Sequence, residues 1–124
     1  MTDELAVELG NIQQRLEKLA GDDPQSLLEI MDWCAAQIAR VGHIRDQAAE
    51  LLEDAKEESV LGLETEAKGM SVTAYKAKLR AQTAQEQHLV NRCESLLKAL
   101  GKKFDAAQSS LAWQRSERER LQKR

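Results

Sequence analysis

Along most of this chain apolar residues return every three or four positions, and helix-breaking residues cut the rhythm at two places, Asp22-Asp23-Pro24 and Gly69-Met70-Ser71. That period matches the 3.6 residues of an α-helical turn and gathers the apolar side chains on one stripe, whereas a strand would alternate them. The chain is therefore expected to be all-α and to be cut into helices at those two places.

The first segment carries Leu5, Leu9, Ile12, Leu16 and Leu19 on one face, with Gly21 behind it as the residue that most readily takes a left-handed cap. It predicts a short helix over about residues 3–20. An aspartate then stands before the only proline, the arrangement of a capped helix start with proline in its first position. From Pro24 the stripe runs through Leu27, Met31, Cys34, Ile38, Val41, Ala48 and Leu52, interrupted by Arg45, and predicts a second helix over about 24–68. A break near Gly62 is the competing topology, because it would fold this helix back and give a compact four-helix bundle.

Gly69 supplies a stop, and Ser71 and Thr73 supply candidate caps for a third helix over about 73–120. Its stripe is Leu79, Val90, Cys93, Leu97, Leu100, Phe104, Ala107 and Leu111. Between Leu79 and Leu89 the stripe nearly disappears, since Thr83 and Glu86 stand where apolar residues are expected.

Two long helices joined by a short turn become antiparallel neighbours. The expected architecture is a single domain over 1–124: a long, coiled-coil-like antiparallel hairpin, with the short first helix packed at the open end. In that arrangement Cys34 comes near Ala107 and Ala48 near Cys93. Trp33 and Trp113 fall in the thick three-helix end and are read as core, whereas an exposed pair there would mark a partner surface. The rest of the hairpin would project as two helices, which bury too little to be secure in water. Dimerisation is expected for that reason. The alanine-rich faces with Ala35, Ala39, Ala48 and Ala49, together with Trp33 and Trp113, are the candidate self-association residues.

Aromatic residues make up only 3% of the chain, so leucine, isoleucine, valine and alanine must build the core. The formal net charge of −3 conceals a strong asymmetry. Residues 1–72 hold six Lys or Arg against sixteen Asp or Glu, and residues 73–124 hold twelve against five. Attraction between an acidic and a basic helix accounts for this pattern. A second account reads Lys98, Lys102, Lys103, Arg115, Arg118, Arg120, Lys123 and Arg124 as phosphate contacts for a nucleic acid. Against it stand the interleaved Glu117 and Glu119 and the lack of an aromatic platform for stacking bases.

Little in the sequence points to catalysis. Cys34 and Cys93 sit on apolar stripes about 14 helical residues apart in the hairpin register, too far for a disulfide and suited to small buried hydrophobes. His43 and His88 lack cysteine or carboxylate companions at metal-ligand spacing. No glycine-rich phosphate loop or nucleophile elbow occurs. The reading is a protein without enzyme activity, cofactor or metal. No apolar run is long enough to span a membrane, and Asp3 and Glu4 stand where an export signal would be basic, so a cytoplasmic location is expected.

The hairpin is superficially similar to small secreted proteins of type VII secretion systems, but those carry Trp-x-Gly at the turn and this chain has Gly69-Met70-Ser71. The second half, from Gly69-Met70-Ser71-Val72-Thr73 through Leu96-Leu97-Lys98-Ala99-Leu100 to Leu111-Ala112-Trp113-Gln114-Arg115, resembles small helical proteins of unknown function from phage and prophage early regions. That resemblance covers about half the chain and implies a link to phage DNA recombination or replication. Two functions stay open: an oligomeric helical scaffold or adaptor for protein–protein contact, and a nucleic-acid-associated accessory protein using the basic third helix.

Overall fold

The computed structural model describes residues 2–64 and 69–123. Four helices make up the described chain: α1 (Thr2–Lys18), α2 (Pro24–Leu63), α3 (Val72–Gln82) and α4 (Ala84–Gln122). There is no strand among the described residues. At 1.5 Å per residue, α2 and α4 are each roughly 60 Å long.

The two interruptions do what their residues dictate. Asp23 is the N-cap of α2: its carboxylate accepts the Ser26 N–H at 3.1 Å and the Ser26 hydroxyl at 2.5 Å, and Pro24 follows in the first turn. Gly21 takes φ +139°, a conformation that side-chain-bearing residues rarely adopt. Before α3, Gly69 has φ +90° and Ser71 accepts the Ala74 N–H at 3.1 Å. The last expected residues of the second helix, 65–68, lie outside the described residues.

Helix α2 passes unbroken through Gly42 and Gly62 as far as Leu63, so no fold-back occurs near Gly62. Packing outweighs the cost of a glycine inside a helix: Val41 and Ile44, beside Gly42, are both 0% exposed.

The expected third helix over 73–120 is corrected by the structure to two helices, α3 and α4, which meet at Thr83. Thr83 adopts φ −110°, ψ 9°, and both its N–H (3.2 Å) and its hydroxyl (3.0 Å) donate to the Leu79 carbonyl. A threonine side chain bonded back to the preceding turn competes with the regular ladder and bends the helix. With its hydroxyl satisfied, Thr83 can occupy a buried position on the seam.

Most interhelical contact is between α2 and α4, which run antiparallel. Leu27 and Ile30 share a cavity lining with Ala107 and Ser110, while Lys56, farther along α2, shares one with Thr83 and Gln87. Cys34, Val41, Ile44 and Ala48 from α2 and Cys93, Leu96, Leu100 and Ala107 from α4 form one buried cluster with Leu5, Leu9 and Ile12 of α1. Contacts also fix the direction of α1, which lies back along α2: Glu8 binds Arg40 through two charge-assisted hydrogen bonds of 2.5 and 2.7 Å, and Arg15 lies over the Trp33 ring, 5.9 Å from its centroid. The end of α1 is held to α4 where Lys103 donates to the Leu19 carbonyl at 3.3 Å.

Three helices therefore pack along the open end, and α2 with α3 continues as a thin arm. Among the described residues of the arm, Leu52, Leu63 and Thr83 are buried, and α3 buries no residue. No described helix is long and apolar enough to cross a membrane.

Candidate interaction surface

The helical period assigns a side to every residue of α2 and α4 flanking the seam. On one side stand Trp33, Arg40 and Ile44 of α2 with Arg92, Leu96, Ala99 and Lys103 of α4. This side receives α1, as shown by the Arg15–Trp33, Glu8–Arg40 and Lys103–Leu19 contacts and by a groove of about 330 Å³ that Gln13, Leu16 and Glu17 share with Arg92, Leu96 and Ala99.

Among the described residues, α1 makes its contacts on that side and leaves the opposite one uncovered. There α2 presents Leu28, Met31, Ala35, Ile38, Gly42 and Ala49, spaced by three, four or seven residues, and α4 presents Val90, Leu97, Gly101 and Phe104 in the same manner. Met31, Ile38, Val90, Leu97 and Phe104 pack against the core with one flank and leave the other uncovered, Ala35 and Ala49 are exposed, and Leu28 is 41% exposed. Beyond its own helical turn, neither glycine has a neighbour within 4 Å of where a Cβ would stand. The result is an apolar strip along two antiparallel helices, flat where the glycines lie.

A second exposed group caps the open end. Trp113 and Leu121 are each 66% exposed and line a shallow depression with Pro24, Gln114, Glu117 and Arg118. The expectation that both tryptophans are core is thus corrected: Trp33 is half-buried beneath Arg15 and Trp113 faces solvent. Trp113 comes two residues after Leu111, off the stripe, so its exposure follows from helical spacing.

Of the candidate self-association residues, Ala35, Ala39 and Ala49 are exposed, but Ala48 is 0% exposed inside the chain's own seam and is not available to a partner. Of the candidate phosphate contacts, Lys98, Lys102, Arg115, Arg118, Arg120 and Lys123 are exposed, and Arg124 lies outside the described residues. Lys103 is directed to the Leu19 carbonyl, and Arg120 approaches Glu117 at 3.5 Å. Spacing along α4 places Lys98, Lys102, Trp113 and Arg120 on its outward side, and Arg115 nearer the uncovered strip.

Ion pairs among the described residues include Glu8–Arg40 between α1 and α2, and Arg45–Asp46, Lys56–Glu53 and Arg120–Glu117 within single helices. Exposed pairs of this kind add little stability.

Cys34 and Cys93 are free and 0% exposed, and burial pushes both thiols above their usual range, opposed in part by the charge of Lys103 at Cys34 and of Arg45 at Cys93. A raised thiol pKa is the reverse of what a nucleophilic cysteine needs. Among the described residues no group of three or more His, Cys, Asp or Glu could hold a metal ion. Comparison with family models, curated proteins and solved structures finds no match to this chain.

Proposed function

We propose that this chain is a non-enzymatic helical scaffold or adaptor that acts by protein–protein contact, using the uncovered strip of α2 and α4. The observation that carries this reading is the strip itself: Met31, Ile38, Leu97 and Phe104 are only half covered, on the side of the seam that α1 leaves open. Contiguous exposed apolar surface of this kind marks interaction sites. The thin arm adds to the case, because two helices gain security from a further helical layer.

Light scattering during size-exclusion chromatography tests the reading. The wild-type chain is expected to self-associate, and Ile38→Glu, which places a charge on the strip while leaving the fully buried seam intact, is expected to run as a helical monomer. Oligomers of equal mass in the two chains would refute the strip as the contact surface.

A second reading rests on the outward line of Lys98, Lys102 and Arg120 with Trp113 between them: an accessory protein that holds nucleic-acid phosphates along α4. Binding to single- or double-stranded DNA that weakens steeply with salt, and is lost in Lys98→Glu/Lys102→Glu, would support it. No binding at low salt would remove it.

A further inference from the structure

From the distribution of charge around the open strip we infer that its occupant is a second copy of this chain, packed about a two-fold axis parallel to the helices, so that both arms point the same way. The inference rests on the interaction reading above and adds the partner and its orientation.

The strip is two helices wide, and two copies can meet face to face about a two-fold axis in two ways. With the axis across the strip, α2 lies on the second copy's α2 and the arms point in opposite directions. With the axis along the helices, α2 lies on the second copy's α4, and α4 on its α2.

Charge separates the two arrangements. Helix α2 holds three Lys or Arg against eight Asp or Glu, a net of −5. Helices α3 and α4 together hold ten against five, a net of +5. Crossing the strip would therefore stack −5 on −5 and +5 on +5. The parallel axis places every acidic helix on a basic one, and like charges brought face to face are what an interface excludes. The same axis makes every neighbour in the resulting four-helix layer antiparallel, as in an up-and-down bundle.

Steric fit agrees. The antiparallel register brings Gly42 of one chain to within a helical turn of the second copy's Leu97, and Ile38 to within a turn of its Gly101. Both glycines stand in helix interiors, where glycine is unfavourable, and beyond their own helical turn no atom lies within 4 Å of their missing Cβ positions. Each leaves room for a branched side chain from across the interface. In the arm, the same register brings Arg80 of α3, a helix without acidic residues, to within a turn of the second copy's Glu57.

The test is a nitroxide spin label on Leu61→Cys, an exposed arm position, with the interlabel distance read by pulsed electron paramagnetic resonance. Cys34 and Cys93 are 0% exposed, and the unsubstituted chain serves as the labelling control. Light scattering on the same sample reports the mass. The parallel axis predicts a dimer with labels within about 35 Å, the width of a four-helix layer with its labels. A dimer with labels about 60 Å apart, the two arms at opposite ends, would overturn this arrangement and leave the interaction reading standing. A monomer at every concentration would overturn the second copy as occupant and leave the strip to a different protein.

Discussion

The Lys103 ammonium donates to the Leu19 carbonyl across 3.3 Å, tying the chain just beyond α1 to the middle of α4. This carbonyl belongs to the group that every helix end leaves without an intrahelical partner. A lysine in this role is a structural tie and not a free phosphate contact. Lys103→Met keeps the stem but removes the donor, and should cost about 1 kcal/mol in denaturant unfolding. Amide exchange should rise in the segment between α1 and α2 while the centre of α2 stays protected. Unchanged exchange there would show that the bond contributes nothing.

Core and arm should respond unequally to truncation. Leu100 is 0% exposed in the cluster shared by α2 and α4, and Leu100→Ala is expected to cost about 2–5 kcal/mol. Leu61 is 66% exposed, and Leu61→Ala should change monomer stability by less than about 0.5 kcal/mol. Urea midpoints measured on both variants check the contrast.

Two glycine substitutions should move stability in opposite directions. At Gly21, φ +139° disfavours any side chain, and a Cβ would stand 2.6 Å from the Ser26 Cβ, so Gly21→Ala should destabilise by about 1–2 kcal/mol or more. At Gly10, inside α1, the nearest neighbour of a Cβ is the Arg92 guanidinium at 3.9 Å, an ordinary contact. Gly10→Ala should therefore stabilise by about 1 kcal/mol. Thermal unfolding of the two variants should bracket the wild type.

How much of this was legible in the sequence depends on which force decides each feature. Helix starts depend on single residues, so Asp23-Pro24 marks α2 directly and Ser71 is one of two cap candidates, with Thr73, for the helix after the turn; the observed hydrogen bonds to Ser26 and Ala74 are the ones Asp23 and Ser71 are built to make. The bend at Thr83 left a partial trace, the gap in the stripe between Leu79 and Leu89. Periodicity could not show that a threonine would remain on the seam by bonding the Leu79 carbonyl, since that requires its rotamer and backbone together. The uncovered strip was half visible: Ala35 and Ala49 were singled out as small residues, whereas Ala48 proved to be seam. A shift of one residue rotates a helix by 100°, and only the placement of α1 reveals which side stays open.

The dependence of stability on pH follows from which groups are perturbed. The Arg40 guanidinium holds the Glu8 carboxyl below its usual range, and the Ser26 hydroxyl and N–H do the same for Asp23. A carboxyl with a depressed folded-state pKa contributes stability that is present above its unfolded value and is lost as pH falls through the folded one. The loss thus begins below about pH 4.5 for Glu8 and below about pH 3.8 for Asp23, and increases with acid. The thiols work in the other direction: burial raises both, so the unfolded chain ionises first and stability declines above about pH 9. A urea midpoint that is flat between about pH 5 and 8.5 and falls on either side is expected. In Glu8→Gln the acid limb should become shallower, and an unchanged limb would contradict the role given to the Arg40 pair.

The two tryptophans offer a direct check on the packing of the open end. Trp113 is 66% exposed, whereas Trp33 is half-buried with the Arg15 guanidinium over its ring. In Trp33→Phe the remaining emission comes from Trp113 and should lie at long wavelength and be quenched efficiently by acrylamide. In Trp113→Phe the emission comes from Trp33 and should lie to the blue and resist the quencher several-fold better. Because Trp113 stands off the uncovered strip, its accessibility should persist when the chain self-associates. If concentration protected Trp113 from acrylamide instead, the contact would lie at the open end, with Leu121 and Pro24, and the strip formed by Ile38 and Leu97 would lose its assigned role.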